Sequence, residues 1–265
     1  MQWVAEVGGV TGRSLAYVGG LAEISAKALR LLVLSPLKRT RMLQRAIHEA
    51  MAVGVGAIPI VSLIAFFVGV IIALQGAYEL QRIGAMQLVS SLVAISITRE
   101  LGPLITAIVV IGRSGSAFAA EIGTMRVTEE LDALKTMALD PVAFLVVPKF
   151  LAMAVMLPCL AIWADLMGIL GGSLFGVAGG GFTFGGYMLA TREALLLRDI
   201  TSGVVKSLVF GMVITSVGCH EGFATGSGAE EVGRSTTSAV VISILLVILI
   251  DLVFTALFYL ARGGN

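Results

Sequence analysis

The chain has 265 residues, 57% of them hydrophobic and only 13% charged, and its 18 Lys and Arg against 17 Asp and Glu leave a net charge of +1. A mean hydropathy of +0.99 lies outside the range of a water-soluble domain, and no basic patch interleaved with aromatics suggests a nucleic-acid partner. The composition therefore predicts an all-α integral membrane protein, in which each crossing needs about 20 apolar residues.

In chain order, residues 3–34 read as an amphipathic segment. Lys27, Arg30, Lys38, Arg39, Arg41 and Arg45 lie in or close behind it and would hold it at an anionic membrane surface. A short sixth span is the alternative, disfavoured by those charges. Glu6, Arg13 and Glu23 interrupt the continuous apolar run that a cleavable signal peptide needs, so none is expected. The sequence thus divides into an N-terminal interfacial segment, 1–45, and one membrane domain, 46–265, with about five spans near 52–76, 90–112, 146–178, 200–219 and 237–260. Pro148 and Pro158 could tilt or break the third. Lys and Arg crowd toward the N-terminus, which predicts a cytoplasmic N-terminus and, with five spans, an external C-terminus.

Between the second and third spans, Ile122, Met125, Leu131, Leu134 and Met137 recur at near-helical spacing among Glu121, Glu129, Glu130, Asp132 and Lys135. This predicts a short cytoplasmic amphipathic helix over about 121–137. It would lie either on its own membrane domain or in the groove of a cytoplasmic partner. Gly168, Gly172, Gly176 and Gly180 repeat every four residues, a pattern that allows close backbone approach to another helix, as at a dimer interface; the bland alternative is that glycine is simply common in membrane helices.

The charges inside the spans carry the functional question. Arg99 and Glu100 stand together in SITRELGP, 96–103. An isolated charge at mid-membrane costs about 2.5–3.5 kcal/mol, so each needs a partner or water. Neighbours on a helix diverge by about 100° and cannot simply pair on one face. Lys206 lies at a similar depth in the fourth span, making a Glu100–Lys206 pair or a shared wet cavity plausible; the bland alternative is a snorkelling lysine or a register-fixing ion pair. Asp165 and Asp251 could mark an ion path in a secondary transporter. GRSG, 112–115, with Ser114, and His220 on another span raise an intramembrane serine protease, although nothing else suggests an oxyanion hole. Cys159 and Cys219 have no metal or redox spacing, no cluster of Asp, Glu and His suggests a bound metal, and no GxxxxGK[ST] loop is present. If ATP is used, another subunit binds it.

LQG at 74–76, RELGP at 99–103, GRSGSAFAAEIGTMRVTEELDAL at 112–134, MALDP at 137–141 and GGSLFGV at 171–177 together resemble the MlaE permease family, over nearly the whole chain from about residue 45. The resemblance implies a homodimeric, multi-pass permease subunit of an ABC-type system in the bacterial inner membrane, moving phospholipid and maintaining outer-membrane lipid asymmetry. It implies an ABC ATPase (MlaF-like) that binds the ATP and Mg, a STAS-domain protein (MlaB-like) and a periplasmic hexamer of an MCE-domain protein (MlaD-like). No cofactor and no catalytic residue is expected in this chain. By the same resemblance the coupling helix matches 121–137, with Glu121, Met125, Arg126, Glu129, Glu130, Leu131, Asp132 and Leu134 toward the ATPase. Arg99, Glu100 and Lys206 would lie near the headgroup zone of a lipid cavity whose wall includes Ile72, Leu80 and Leu101. Glu79 stands where an aliphatic wall residue is expected and is assigned to the external mouth.

Overall fold

A computed structural model describes residues 17–31 and 39–262. The remainder of the expected amphipathic segment, including residues 3–16 and 32–34, lies outside the described residues. Helix α1 covers 17–31. It is followed by α2 (Arg39–Arg82), α3 (Met86–Val127), α4 (Glu130–Thr136), α5 (Val142–Ala178), α6 (Phe184–Ala194), α7 (Leu197–Ala224) and α8 (Ala229–Arg262). Five of these, α2, α3, α5, α7 and α8, are long and apolar enough to cross a membrane. The chain is a multi-pass, all-α membrane protein.

The crossing helices run well beyond the apolar stretches visible in the sequence. The second occupies 42 residues, Met86–Val127, because its polar end continues as helix through Arg113 and Glu121. Helix α2 is likewise unbroken across residues 45 and 46, so the boundary expected there falls within a helix. Pro148 and Pro158 both lie within α5, which is not interrupted. A wide π turn at Val142–Val146 precedes Pro148 and shifts the backbone register where proline can neither donate a hydrogen bond nor tolerate the carbonyl one turn back.

Helix α5 is central and packs most extensively on α2 and α7. The main apolar core joins Val53, Val61, Ala107, Ile111, Met153, Leu157, Phe210 and Ile214 from α2, α3, α5 and α7. The glycine repeat is filled within the chain. A Cβ on Gly69 would stand 1.9 Å from the Gly168 carbonyl oxygen, and one on Gly171 2.0 Å from that of Phe66, so α2 and α5 touch backbone to backbone. Gly172 and Gly176 instead seat the buried Tyr187 of α6. Burial pushes the Tyr187 phenol up to about 12. Gly69→Ala is expected to force α2 and α5 apart at a cost of about 1–3 kcal/mol, read as a lower thermal midpoint in mild detergent; an unchanged midpoint would show that the contact relaxes freely.

Two ends of the bundle can be told apart. At one, α1 docks beside α4 and the end of α7: Lys27 pairs with Asp140 at 3.0 Å, Ser25 hydrogen-bonds Ser216 at 2.7 Å, and Tyr17 meets His220 edge-on at 4.8 Å between ring centroids. At the other, α6 covers the start of α3.

Candidate functional site

RELGP folds as it does because of its proline. Pro103 has no N–H for the Arg99 carbonyl, and the helix widens into a π turn over Ile97–Leu101 just before it. Such turns occur mostly as single insertions within α-helices, often at functional sites. Arg99 and Glu100 sit in that turn and diverge to separate partners: Arg99 faces Asp199 of α7, and Glu100 faces Lys206 of α7 and Thr255 of α8.

Glu100 accepts a hydrogen bond from Lys206 of α7. The same ammonium lies 2.9 Å from Asp251 Oδ1 of α8 and donates to Thr255 Oγ1 at 2.8 Å. Thr255 in turn donates to the Glu100 carboxylate at 3.2 Å. Arg99 Nε faces Asp199 Oδ1 of α7 at 3.6 Å, while the other Asp199 oxygen accepts from the Leu196 N–H at 3.3 Å and caps the start of that helix. Three crossing helices thus converge on one charged cluster. Lys206 lies about 13 Å along α7 and Asp251 about 16 Å along α8 from the α6 end, at 1.5 Å per residue, well within the apolar stretches.

Exposure within the cluster is uneven. The Lys206 side chain is 1% exposed, Asp251 18%, Arg99 24% and Glu100 34%. Lys206 is the sealed centre, with two carboxylates to balance its cost of burial. With all groups ionised, Glu100, Asp199 and Asp251 outnumber Arg99 and Lys206 by one charge. The open edges belong to Arg99 and Glu100, so a guanidinium and a carboxylate are presented side by side. Ile72, Leu80 and Leu101 are half-buried against an apolar cluster of Ala73, Ala77, Val89, Val93 and Ile97; Leu101 adjoins the charged pair and Leu80 lies nearer the α6 end.

Sequence reasoning paired Glu100 with Lys206 from their depths but did not single out Asp199 or Thr255. Asp199 is in a first helical turn, where an acidic residue reads as a cap, and Thr255 is unremarkable in an apolar helix. Asp251 belongs to the Lys206 cluster. Asp165 of α5 stands apart: a Cβ on Gly102 would lie 1.8 Å from its Oδ1, which is buried with no hydrogen-bond partner among the described residues. Ser114 is buried, His220 packs on Tyr17, and no hydrogen bond joins Ser114 to His220 among the described residues.

The amphipathic stretch 121–137 differs from the single helix that its spacing predicts. Helix α3 continues to Val127, the chain turns at Thr128 and Glu129, and α4 restarts at Glu130. Glu129 takes a left-handed conformation, φ 61°, as does Ala138, φ 56°, so α4 is bracketed by two strained non-glycine residues. The turn has a packing cause. It folds Leu131 and Leu134 back onto Ile122, Leu145, Val146 and Phe150, with Met125 half-buried beside them.

Apart from Met137, which is exposed, the apolar stripe therefore covers its own domain, and Arg126, Glu129, Glu130 and Asp132 form the outward face. The Lys135 ammonium, hydrogen-bonded to Asp132 at 2.7 Å, holds that carboxyl below its usual range. Leu134→Asp is accordingly expected to loosen α4 by placing a carboxylate in the apolar cluster, at about 2–5 kcal/mol. Protease cleavage at 128–138 should report it, and an unchanged digest would contradict this packing.

With this geometry in place, comparison with known proteins is specific. The family model described as Permease MlaE matches residues 46–257. A probable ABC transporter permease protein of Rickettsia conorii is 38% identical over 253 residues, 96% of each chain. An intermembrane phospholipid transport system permease protein MlaE of Haemophilus influenzae is 34% identical over 214 residues, 80% of this chain and 82% of its own. A chloroplast protein of Arabidopsis thaliana, TRIGALACTOSYLDIACYLGLYCEROL 1, is 38% identical over 199 residues, 75% of this chain and 57% of its own. By the span and the level of these matches, the chain belongs to the MlaE permease family.

Proposed function

We propose that this chain is the permease subunit of an ABC transporter that moves phospholipid between the bacterial inner membrane and a periplasmic MCE-domain protein, so maintaining outer-membrane lipid asymmetry. The observation that carries the reading is the charged cluster beneath the α6 end, sealed at Lys206 and open at Arg99 and Glu100. A phospholipid headgroup offers the complementary groups: its phosphate suits the Arg99 guanidinium and a headgroup donor suits the free edge of Glu100. Ile72, Leu80 and Leu101 supply apolar surface for acyl chains. Two copies of the chain would enclose the site between them.

In this reading the α1 and α4 end is cytoplasmic and the α6 end periplasmic, in keeping with the basic N-terminal residues. An ATPase subunit, binding ATP and Mg, docks against the acidic outward face of α4, with a small STAS-domain protein alongside it. The permease performs no covalent chemistry. It converts ATPase closure into a change in lipid affinity, and a transport cycle needs no more than that difference between two states.

The test is purification from the native membrane in mild detergent, with co-purifying polypeptides and lipids identified by mass spectrometry. An ATPase, an MCE-domain protein and bound phospholipid are expected together. A chain that arrives with phospholipid absent and no ATPase would overturn the reading. The unpartnered Asp165 oxygen favours the rival ion-coupled transporter, which would move its substrate without ATP and lose that activity in Asp165→Asn.

A further inference from the structure

A second charged cluster lies at the opposite end of the bundle, far from the Arg99 and Lys206 site. Lys149, the third residue of α5 beyond its π turn, is 1% exposed. Its ammonium donates to Glu49 Oε1 of α2 and to Glu121 Oε2 of α3, both at 2.7 Å, and lies 4.7 Å from the centroid of the Phe118 ring. One sealed cation thus joins three crossing helices. The carboxylates are more open, 24% exposed at Glu49 and 47% at Glu121. Both border a cavity of about 550 Å³ that Arg45, His48 and Phe144 also line.

The location gives the tie its consequence. Glu121 is two helical turns before α3 ends at Val127, and α4 hangs from that end through the strained turn at Glu129. A force on α4 therefore reaches Glu121 through the end of α3, and reaches α5 through the packing of Leu131 and Leu134 on Leu145, Val146 and Phe150. Separating the three groups would strand an ammonium in an apolar shell, whereas the carboxylates could be hydrated from the cavity. The arrangement resists separation and makes the ends of α2, α3 and α5 move as a unit. Helix α2 runs unbroken from Glu49 to Ile72 and Leu80, and α5 runs to Asp165 against Gly102 at the RELGP turn.

We propose that Lys149 is a positioning residue that couples movement of α4 to the distant charged site, by tying α2 and α5 to the end of α3. This rests on the ABC reading above. Removing the tie should leave the partner ATPase bound and turning over while lipid movement no longer keeps pace.

The experiment uses the intact complex in vesicles of defined phospholipid composition and measures ATP hydrolysis and lipid transfer on the same sample. Glu49→Gln with Lys149→Met removes the tie while leaving only Glu121, which is open to water, so no buried charge is stranded. Lipid transferred per ATP should fall about tenfold or more, a loss of about 1.4 kcal/mol of coupling, with ATPase still co-purifying. Lys149→Arg, which retains a cation between the carboxylates, should recover most of the ratio. If the double variant fails to assemble, Glu49→Gln alone serves, and its ratio should fall by a smaller but measurable factor. An unchanged transfer-to-ATP ratio in whichever variant assembles would overturn the proposal, as would equal loss in Lys149→Arg and the double variant. A wild-type chain that binds no ATPase would instead sink the ABC reading itself.

Discussion

Replacing Lys206 by methionine is expected to damage this protein more than any other single substitution. The change removes the one cation between Glu100 and Asp251 and leaves their carboxylates facing each other around Thr255 in the apolar zone. Breaking a buried ion pair from one side costs about 3–5 kcal/mol, and at about 2–4 °C per kcal/mol for a chain of this size the thermal midpoint should drop by roughly 6–20 °C. Membrane abundance should fall with it. Lys206→Met combined with Asp251→Asn should be more stable than Lys206→Met alone, because the surviving Glu100 is partly open and can be hydrated. A double variant less stable than the single one would mean that the carboxylates are not held apart by the lysine. The non-additivity, measured as a double-mutant cycle by thermal unfolding in detergent, is the diagnostic.

The second large effect is expected at the other end. Glu130→Arg with Asp132→Arg reverses the outward acidic face of α4 and leaves Leu131 and Leu134 in their cluster. If the ATPase meets this face, like charge should now oppose it, and like-charge juxtaposition across an interface costs several kcal/mol. ATPase recovered with the purified permease should fall at least about tenfold, and ATP-dependent lipid movement should be abolished. The permease itself should purify in normal amount, since both side chains are exposed. Undiminished ATPase recovery would move the docking surface away from α4.

Much of the architecture was legible because the membrane makes it so. Long apolar runs predict crossing helices almost regardless of tertiary context, and Glu100 and Lys206 could be matched by depth because unpaired charge is costly there. Proline at 103 is a visible sign of a disturbed helix beside the charges, one that sequence reasoning did not use. Other features needed three dimensions. Lys149 follows Pro148 in an otherwise apolar run, and its partners are 28 and 100 residues away; a lysine in such a run is the one signal that could have flagged it. The break at Glu129 was hidden because left-handed backbone at a glutamate has no sequence mark. There the burial of Leu131 and Leu134 overrode the continuous helical spacing. The glycine repeat correctly implied close approach, but sequence alone could not choose between α2 and Tyr187 of the same chain and a second copy.

The central claim is that the open edge of the charged cluster holds a phospholipid headgroup, and Glu100→Gln tests it most directly. Lys206 and Asp251 remain as a balanced pair in this variant, so the fold should survive. Wild-type and variant chains would be purified side by side in mild detergent, matched for folded yield, and their retained phospholipid quantified by mass spectrometry. Loss of a charge-assisted contact worth about 1.5 kcal/mol or more should lower retained phospholipid about tenfold. Equal retention by the two chains would contradict the account, leaving the cluster a device that fixes helix positions and placing the lipid elsewhere.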